Sequence, residues 1–307
     1  VFSLIMLILL SLIVLVIALY TIIGFVCYKL SLARRSTAKR ISKAGRKLKN
    51  DDKKPSWWDS HPTEKVTIKS EEKLTLVGHF LKNQSDKVVI IMHGFGSDWI
   101  EMDGYAKMFY KRNFNVLAVS ARAHGESEGD MVGMGWLDRL DLLRWIEFAN
   151  EKVPNARIVL FGVSMGASAV CMSLGEKMQG NVVCAIEDCG FDNVFKEICY
   201  VYRKKLKFTS TLLFKIFYKW TKRARGFDLK KGDAVKALKK AKTPVLFIHG
   251  GDDTFVPTQM VYNLYEALGI TDKRLYICEG ATHAKSFQTD EARYEMKVDK
   301  FLTKHGL

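Results

Sequence analysis

Proline is scarce, with five in 307 residues, and no charged side chain occurs before Lys29. Six cysteines are present, yet they form no C-x-x-C pair and no His/Cys spacing of the kind that binds zinc. Cys27 lies inside an apolar run and the other five are an odd number, so neither a zinc module nor a disulfide scaffold is indicated. Free buried thiols fit a reducing compartment. There is no internal repeat and no low-complexity stretch. Hydrophobic residues make up 48% and charged ones 26%, which excludes a disordered or collagen-like chain. The length suits one large domain or two small ones.

Positive charge is abundant, at +15 in formal terms, and such a balance raises the question of nucleic acid or a membrane surface. The charge is local. Residues 1–56 hold eleven Lys and Arg against two Asp, and residues 192–242 hold sixteen against four acidic residues; the remainder is slightly acidic. A nucleic-acid reading would rest on Arg203-Lys204-Lys205 and its surroundings and would predict salt-dependent binding. No reader motif accompanies that run, so no nucleic-acid partner is expected.

Residues 1–28 are uncharged and rich in Leu, Ile and Val. As a helix rising 1.5 Å per residue they cross a hydrocarbon core of about 30 Å. No A-x-A-like cleavage site follows, and an uncleaved single-pass anchor is expected. The cations from Lys29 to Lys54 favour the cytoplasmic side for the body of the chain. Residues 29–56 read as a basic juxtamembrane tether able to touch anionic headgroups.

Residues 57–307 read as one catalytic domain. Residues 64–69 and 74–81 alternate as an antiparallel pair, joined through Ser70-Glu71-Glu72-Lys73. Apolar runs at 88–92, 116–119, 158–161, 182–186, 245–248 and 275–278 have the character of strands buried on both faces. Helical stretches such as 137–150 separate them. Strand alternating with helix predicts a mostly parallel sheet with helices on both faces. One insertion, about 191–242, is too long for a loop and reads as a helical lid. Its segment 211–220 offers Leu212, Leu213, Phe214, Phe217 and Trp220 as apolar cover, with Lys215, Lys219 and Lys222 along one face. The plainest arrangement packs the apolar residues inward and solvates the lysines; anionic substrate or anionic lipid is the alternative use of the charge.

Gly162-Val163-Ser164-Met165-Gly166 follows one buried strand and opens a helix. Glycines permit the tight turn that lifts a serine hydroxyl above the sheet. A nucleophilic serine needs a base, an acid to orient the base, and donors for the oxyanion. His93-Gly94-Phe95-Gly96 follows the strand at 88–92, and the amides of Phe95 and Met165 are candidate oxyanion donors. Gly250-Gly251-Asp252-Asp253 ends another strand with two carboxylates that spacing alone does not separate. His283 follows the last strand. The order Ser, Asp, His, each just past a strand end, is that of the α/β-hydrolase triad. Asp188 is a rival acid, Cys189 lacks an elbow, and His93, His124 and His249 read as structural residues of strand-end turns.

Over residues 57–305 the chain resembles the α/β-hydrolase superfamily, and looks most like membrane-anchored bacterial serine hydrolases similar to prolyl-oligopeptidase-type and monoacylglycerol-lipase-type enzymes. The motifs that carry the likeness are His93 to Gly96, Arg122-Ala123-His124-Gly125-Glu126-Ser127, Gly162 to Gly166, Asp253-Thr254-Phe255-Val256-Pro257 and Gly280-Ala281-Thr282-His283. The resemblance selects Asp253 over Asp252, because the family acid lies three residues before the Val-Pro element. Ser120 stands where relatives have Asp, and Glu72-Lys73 stands where they often have Asp-Gly. The implied activity is serine-dependent hydrolysis of carboxylic esters or thioesters, of acyl or lipid-derived substrates, with catalytic Ser164, Asp253 and His283 and no metal or cofactor. Small amides remain open as substrates, and a catalytically silent binding protein on this fold is the alternative from another class.

Overall fold

The computed structural model describes residues 2–33, 56–179, 181–207 and 210–307. Among them, eight strands form one sheet. In chain order they are β1 (Glu64–Lys69), β2 (Thr75–Leu81), β3 (Lys87–Met92), β4 (Asn115–Val119), β5 (Arg157–Val163), β6 (Val182–Asp188), β7 (Val245–Gly250) and β8 (Lys273–Cys278). The order across the sheet is β1-β2-β4-β3-β5-β6-β7-β8. β1 and β2 pair antiparallel, as do β2 and β4, and every other pairing is parallel. This is the α/β-hydrolase fold.

The core follows from the pleat. In β3, Val88, Ile90 and Met92 belong to one apolar layer and Val89 and Ile91 to the other, all essentially without solvent contact. Strands covered on both faces need apolar residues at every position, which is why they read as continuous runs. Helices α3 (Asp138–Lys152), α4 (Met165–Ser173) and α8 (Gln259–Ala267) cover the first layer; α2 (Asp103–Tyr110) and α9 (Glu291–Lys304) cover the second. Several strands extend past the apolar run that announces them. β6 continues through Glu187 and Asp188 and β7 through His249 and Gly250, so buried polar side chains stand at the ends where the site forms.

The segment between β6 and β7 holds α5 (Val194–Leu206), α6 (Thr211–Arg225) and α7 (Ala234–Leu238). It departs from a lid spanning 191–242, because α7 packs on α4, with Ala234 and Leu238 buried there. Within α6, Phe214 and Phe217 turn inward, whereas Leu212 is 64% exposed.

The apolar helix α1 (Phe2–Ser31) is long and apolar enough to cross a membrane. It does not end at residue 28. Tyr28, Leu32 and Ala33 are buried in the domain, and Ala33 forms an isolated bridge with Met131. The Val132 amide donates to Leu32 O at 2.7 Å, and Tyr28 Oη donates to Asp130 O at 3.3 Å. Tyr28 and Leu32, four residues apart, share one face of a helix, and that face is what docks. Residues 2–19, in contrast, are exposed on all sides. The basic tether falls largely on residues 34–55, outside the described residues.

Candidate active site

The turn after β5 is built around two glycines. A Cβ on Gly162 would collide with the Gly166 backbone, and one on Gly166 with the carbonyl of Met92. Between them Ser164 takes φ 55° and ψ −115°, in the region that non-glycine residues avoid. Its amide donates to Asp188 O at 2.8 Å, which helps hold the strained turn. Ser164 Oγ lies 2.9 Å from His283 Nε2, and His283 Nδ1 lies 2.7 Å from Asp253 Oδ2. Three residues separated by up to 119 positions thus form one hydrogen-bonded chain.

Asp253 is fixed from several sides. Its Oδ1 accepts the amides of Phe255 at 2.8 Å and Val256 at 3.0 Å. Burial by itself would favour the protonated carboxyl, but hydrogen bonds from His249 and His283 prevail and hold it well below the usual carboxylate range. Asp252, one residue earlier, is exposed and makes no side-chain hydrogen bond among the described residues. The sequence assigned His249 a structural place in its turn. It is wholly buried, its Nε2 donating to Val256 O at 3.0 Å and lying 3.3 Å from Asp253 Oδ2. Its position four residues before Asp253 is the signal the sequence offers.

His93 and His124 lock the neighbouring loop. His93 Nδ1 donates to Gly94 O at 2.8 Å while Nε2 accepts the Ala121 amide at 3.0 Å. Burial, with His124 nearby, pushes His93 down to about 3, so the ring is neutral and can accept. His124 Nδ1 donates to Arg122 O at 2.9 Å, and its Nε2 accepts the Gly96 amide at 3.0 Å. The loop from His93 to Gly96 is therefore pinned beside the serine, and a Cβ on Gly94 would stand 3.3 Å from Ser164 Cβ. Phe95 and Met165 both line the cavity at Ser164. Met165 opens α4, so its amide belongs to the helix turn whose N–H groups have no partner within the helix.

The rival acid Asp188 is engaged elsewhere: Tyr294 Oη donates to it at 3.0 Å and Tyr105 Oη lies at 3.5 Å. Cys189, Asp253 and His283 bring ligand atoms within 4.8 Å of one another. Burial and the neighbouring Asp188 and Asp253 raise the Cys189 thiol well above its usual range, which keeps it protonated and a poor metal ligand.

A cavity of about 450 Å3 opens at Ser164, walled mainly by apolar side chains including Phe95, Met134, Phe191 and Ile198. Two features of it were not legible in the sequence. Leu30 and Ser31 of α1 form part of its wall, and Ser31 Oγ meets Tyr202 Oη at 2.6 Å. Glu197 of α5 also lines it; it is 3% exposed, and neither carboxylate oxygen has a hydrogen-bond partner among the described residues. Burial, reinforced by Asp253 and Asp192, pushes Glu197 up to about 8.

The family described as serine aminopeptidase, S33 (Hydrolase_4) matches residues 83–222 and 229–290. Among curated proteins, the uncharacterized protein YqkD of Bacillus subtilis is 27% identical over 225 residues, covering 73% of each chain. The protein bem46 of Schizosaccharomyces pombe is 24% identical over 227 residues, 72% of this chain and 70% of that one. Among solved structures, the Pyrococcus furiosus esterase Pf2001 superposes with a TM-score of 0.67 at 25% identity, covering 80% of this chain and 92% of the esterase. With the match extending from the loop before β3 past His283, the chain belongs to the serine aminopeptidase S33 family, as an esterase-like α/β hydrolase.

Proposed function

We propose that the protein is a membrane-anchored serine hydrolase that cleaves carboxylic esters or thioesters of acyl, lipid-derived substrates through an acyl-enzyme on Ser164. The observation that carries this reading is the Ser164–His283–Asp253 hydrogen-bonded chain, with Ser164 lining a largely apolar cavity. His283 Nε2 takes the Ser164 proton as Oγ bonds to the substrate carbonyl carbon. The amides of Phe95 and Met165 hold the resulting oxyanion. Collapse breaks the ester bond, and His283 returns its proton to the departing alcohol or thiol. Water, deprotonated by His283, then attacks the acyl-serine; the acid leaves and Ser164 Oγ regains its proton. Asp253 stabilises the imidazolium in both halves.

Membrane attachment rests on α1, whose residues 2–19 are apolar and exposed, and the basic residues after it favour the cytoplasmic side. The test is labelling of the detergent-solubilised full chain with a fluorophosphonate, followed by peptide mass spectrometry. An adduct on Ser164 alone, absent from Ser164→Ala and His283→Ala, is the expected result. A folded wild-type chain that takes no label, with and without liposomes, would overturn the reading.

Glu197 favours a second reading, hydrolysis of small amides bearing a free amine. A substrate ammonium is the natural partner for a carboxyl left unpaired in the cavity wall, and the name of the matched family is that of an aminopeptidase. Turnover of aminoacyl arylamides that is lost in Glu197→Gln, with ester turnover retained, would favour it.

A further inference from the structure

We propose that the groove between α1 and α6 binds the phosphate of an anionic phospholipid. Its volume is about 650 Å3, and its walls are Val16, Ile17 and Tyr20 of α1 and Lys219, Lys222 and Arg223 of α6. The inference rests on the reading of α1 as a membrane span.

The two walls differ in chemistry as the two parts of a lipid do. Val16 and Ile17 offer branched aliphatic surface to an acyl chain, and the opposite wall carries three cations and no acid. Lys222 is drawn to Asp228 at 2.8 Å, but Lys219 and Arg223 have no acidic partner among the described residues. The Tyr20 hydroxyl is buried, also without a hydrogen-bond partner there. A phosphate among these groups would accept from Lys219, Arg223 and Tyr20 at once, with the guanidinium able to bind it through two N–H groups.

The level along α1 agrees. Residues 2–19, exposed on all sides, span about 27 Å at 1.5 Å per residue, close to the thickness of a hydrocarbon core. Tyr20 follows at the height of an interface, where tyrosine is enriched. Beyond it α1 stops being free. Gly24 leaves room for Trp220, whose ring stands 6.1 Å from Phe25 and 5.6 Å from Tyr28, and Arg225 lies over the Tyr28 ring at 5.0 Å. This aromatic cluster fixes α6 across α1. Leu212, Lys215, Lys219 and Lys222–Arg223 recur at helical spacing along the exposed side of α6, with the cations of the groove at the level where headgroups lie.

The experiment uses the full chain in nanodiscs of phosphatidylcholine with a minority of phosphatidylglycerol. Detergent extraction and native mass spectrometry then count the lipids that stay bound. Wild type should retain phosphatidylglycerol over phosphatidylcholine, and Lys219→Gln/Arg223→Gln should lose that preference by about tenfold or more, since each cation near a membrane contributes on the order of 1 kcal/mol toward anionic lipid. Lys236→Gln/Lys240→Gln, in a basic region away from the groove, should behave as wild type. Fluorophosphonate labelling of the groove variant confirms that it is folded. Equal retention of phosphatidylglycerol by wild type and Lys219→Gln/Arg223→Gln overturns the headgroup site. Carbonate washing of membranes separates the two readings: a chain released by carbonate overturns the membrane span and the headgroup site with it, whereas a retained chain without lipid preference overturns the headgroup site alone.

Discussion

His249 Nε2 lies 3.3 Å from the same Asp253 oxygen that His283 Nδ1 approaches at 2.7 Å. One carboxylate oxygen thus serves two imidazoles, one of them wholly buried. Burial opposes charge on His249, yet the Asp253 carboxylate, Glu187 and the Val256 carbonyl together raise it above its ordinary value. In the proposed mechanism His249 would be a positioning residue, fixing the Asp253 rotamer and taking a share of its charge. His249→Asn should lower kcat about tenfold with little change in KM. A variant that keeps the wild-type kcat, or one whose KM rises in step with the loss, would count against the assignment.

Asp253 and Asp252 make a sharper pair. Asp253→Asn keeps the shape but inverts the hydrogen bonding at His283 Nδ1, and ester turnover should fall by on the order of 10⁴. Asp252 is exposed, so Asp252→Asn should stay within about twofold of wild type. Steady-state rates of both variants on one short ester decide the matter; equal losses in two folded proteins would remove Asp253 from its role.

Glu197 should couple stability to pH in the direction opposite to a salt-bridged acid. Folded, it keeps its proton to about pH 8 because burial penalises the carboxylate. Unfolded, a glutamic acid releases it near pH ~4.3. Between those values the folded chain binds more protons, so this group's stabilising contribution declines as pH rises through the window. Glu197→Gln removes the decline. The melting temperature of the variant relative to wild type should rise with pH, the gap widening by several °C between pH 5 and pH 9. A difference that does not grow with pH would place Glu197 in contact with a compensating charge.

The packing of Trp220 on Gly24 can be tested by size. Any Cβ at Gly24 would overlap Trp220 Cγ. Gly24→Val should push α6 away from α1, raise KM and lower the melting temperature, and Trp220→Ala in the same chain should recover part of the loss. Strictly additive effects of the two substitutions would show that this contact does not hold the helices together.

The parallel strands were legible because each is buried on both faces, and the serine turn because its glycines answer a steric demand. Ser164, Asp253 and His283 each follow a strand, and the sheet brings strand ends together whatever lies between. The rest depended on contacts across helices. Glu72 read as a detail of a hairpin; it and Asp141 in fact hold Arg122 from two sides, at 3.0 and 2.7 Å, with Arg122 almost fully buried. Glu197 sits on a helix whose pattern says which face is apolar but not that a carboxyl turns into the cavity. Nor does an uncharged run reveal where it leaves solvent or lipid and begins to dock, since Leu and Ile serve both.

The helix that carries Leu30 and Ser31 to the cavity wall is continuous from Phe2. From Tyr20 to Ser31 it extends about 16 Å, and Trp220, Tyr202 and the Ala33–Met131 bridge fasten that length to the domain. In the membrane reading, helix and domain therefore turn as one lever. Transmembrane helices lean to match the thickness of the bilayer around them, and a lean of about 10° would swing the upper end by roughly 3 Å over that length. The direction in which the cavity mouth faces the lipid surface would then be set by bilayer thickness, making the composition of the host membrane a mechanical input to substrate capture.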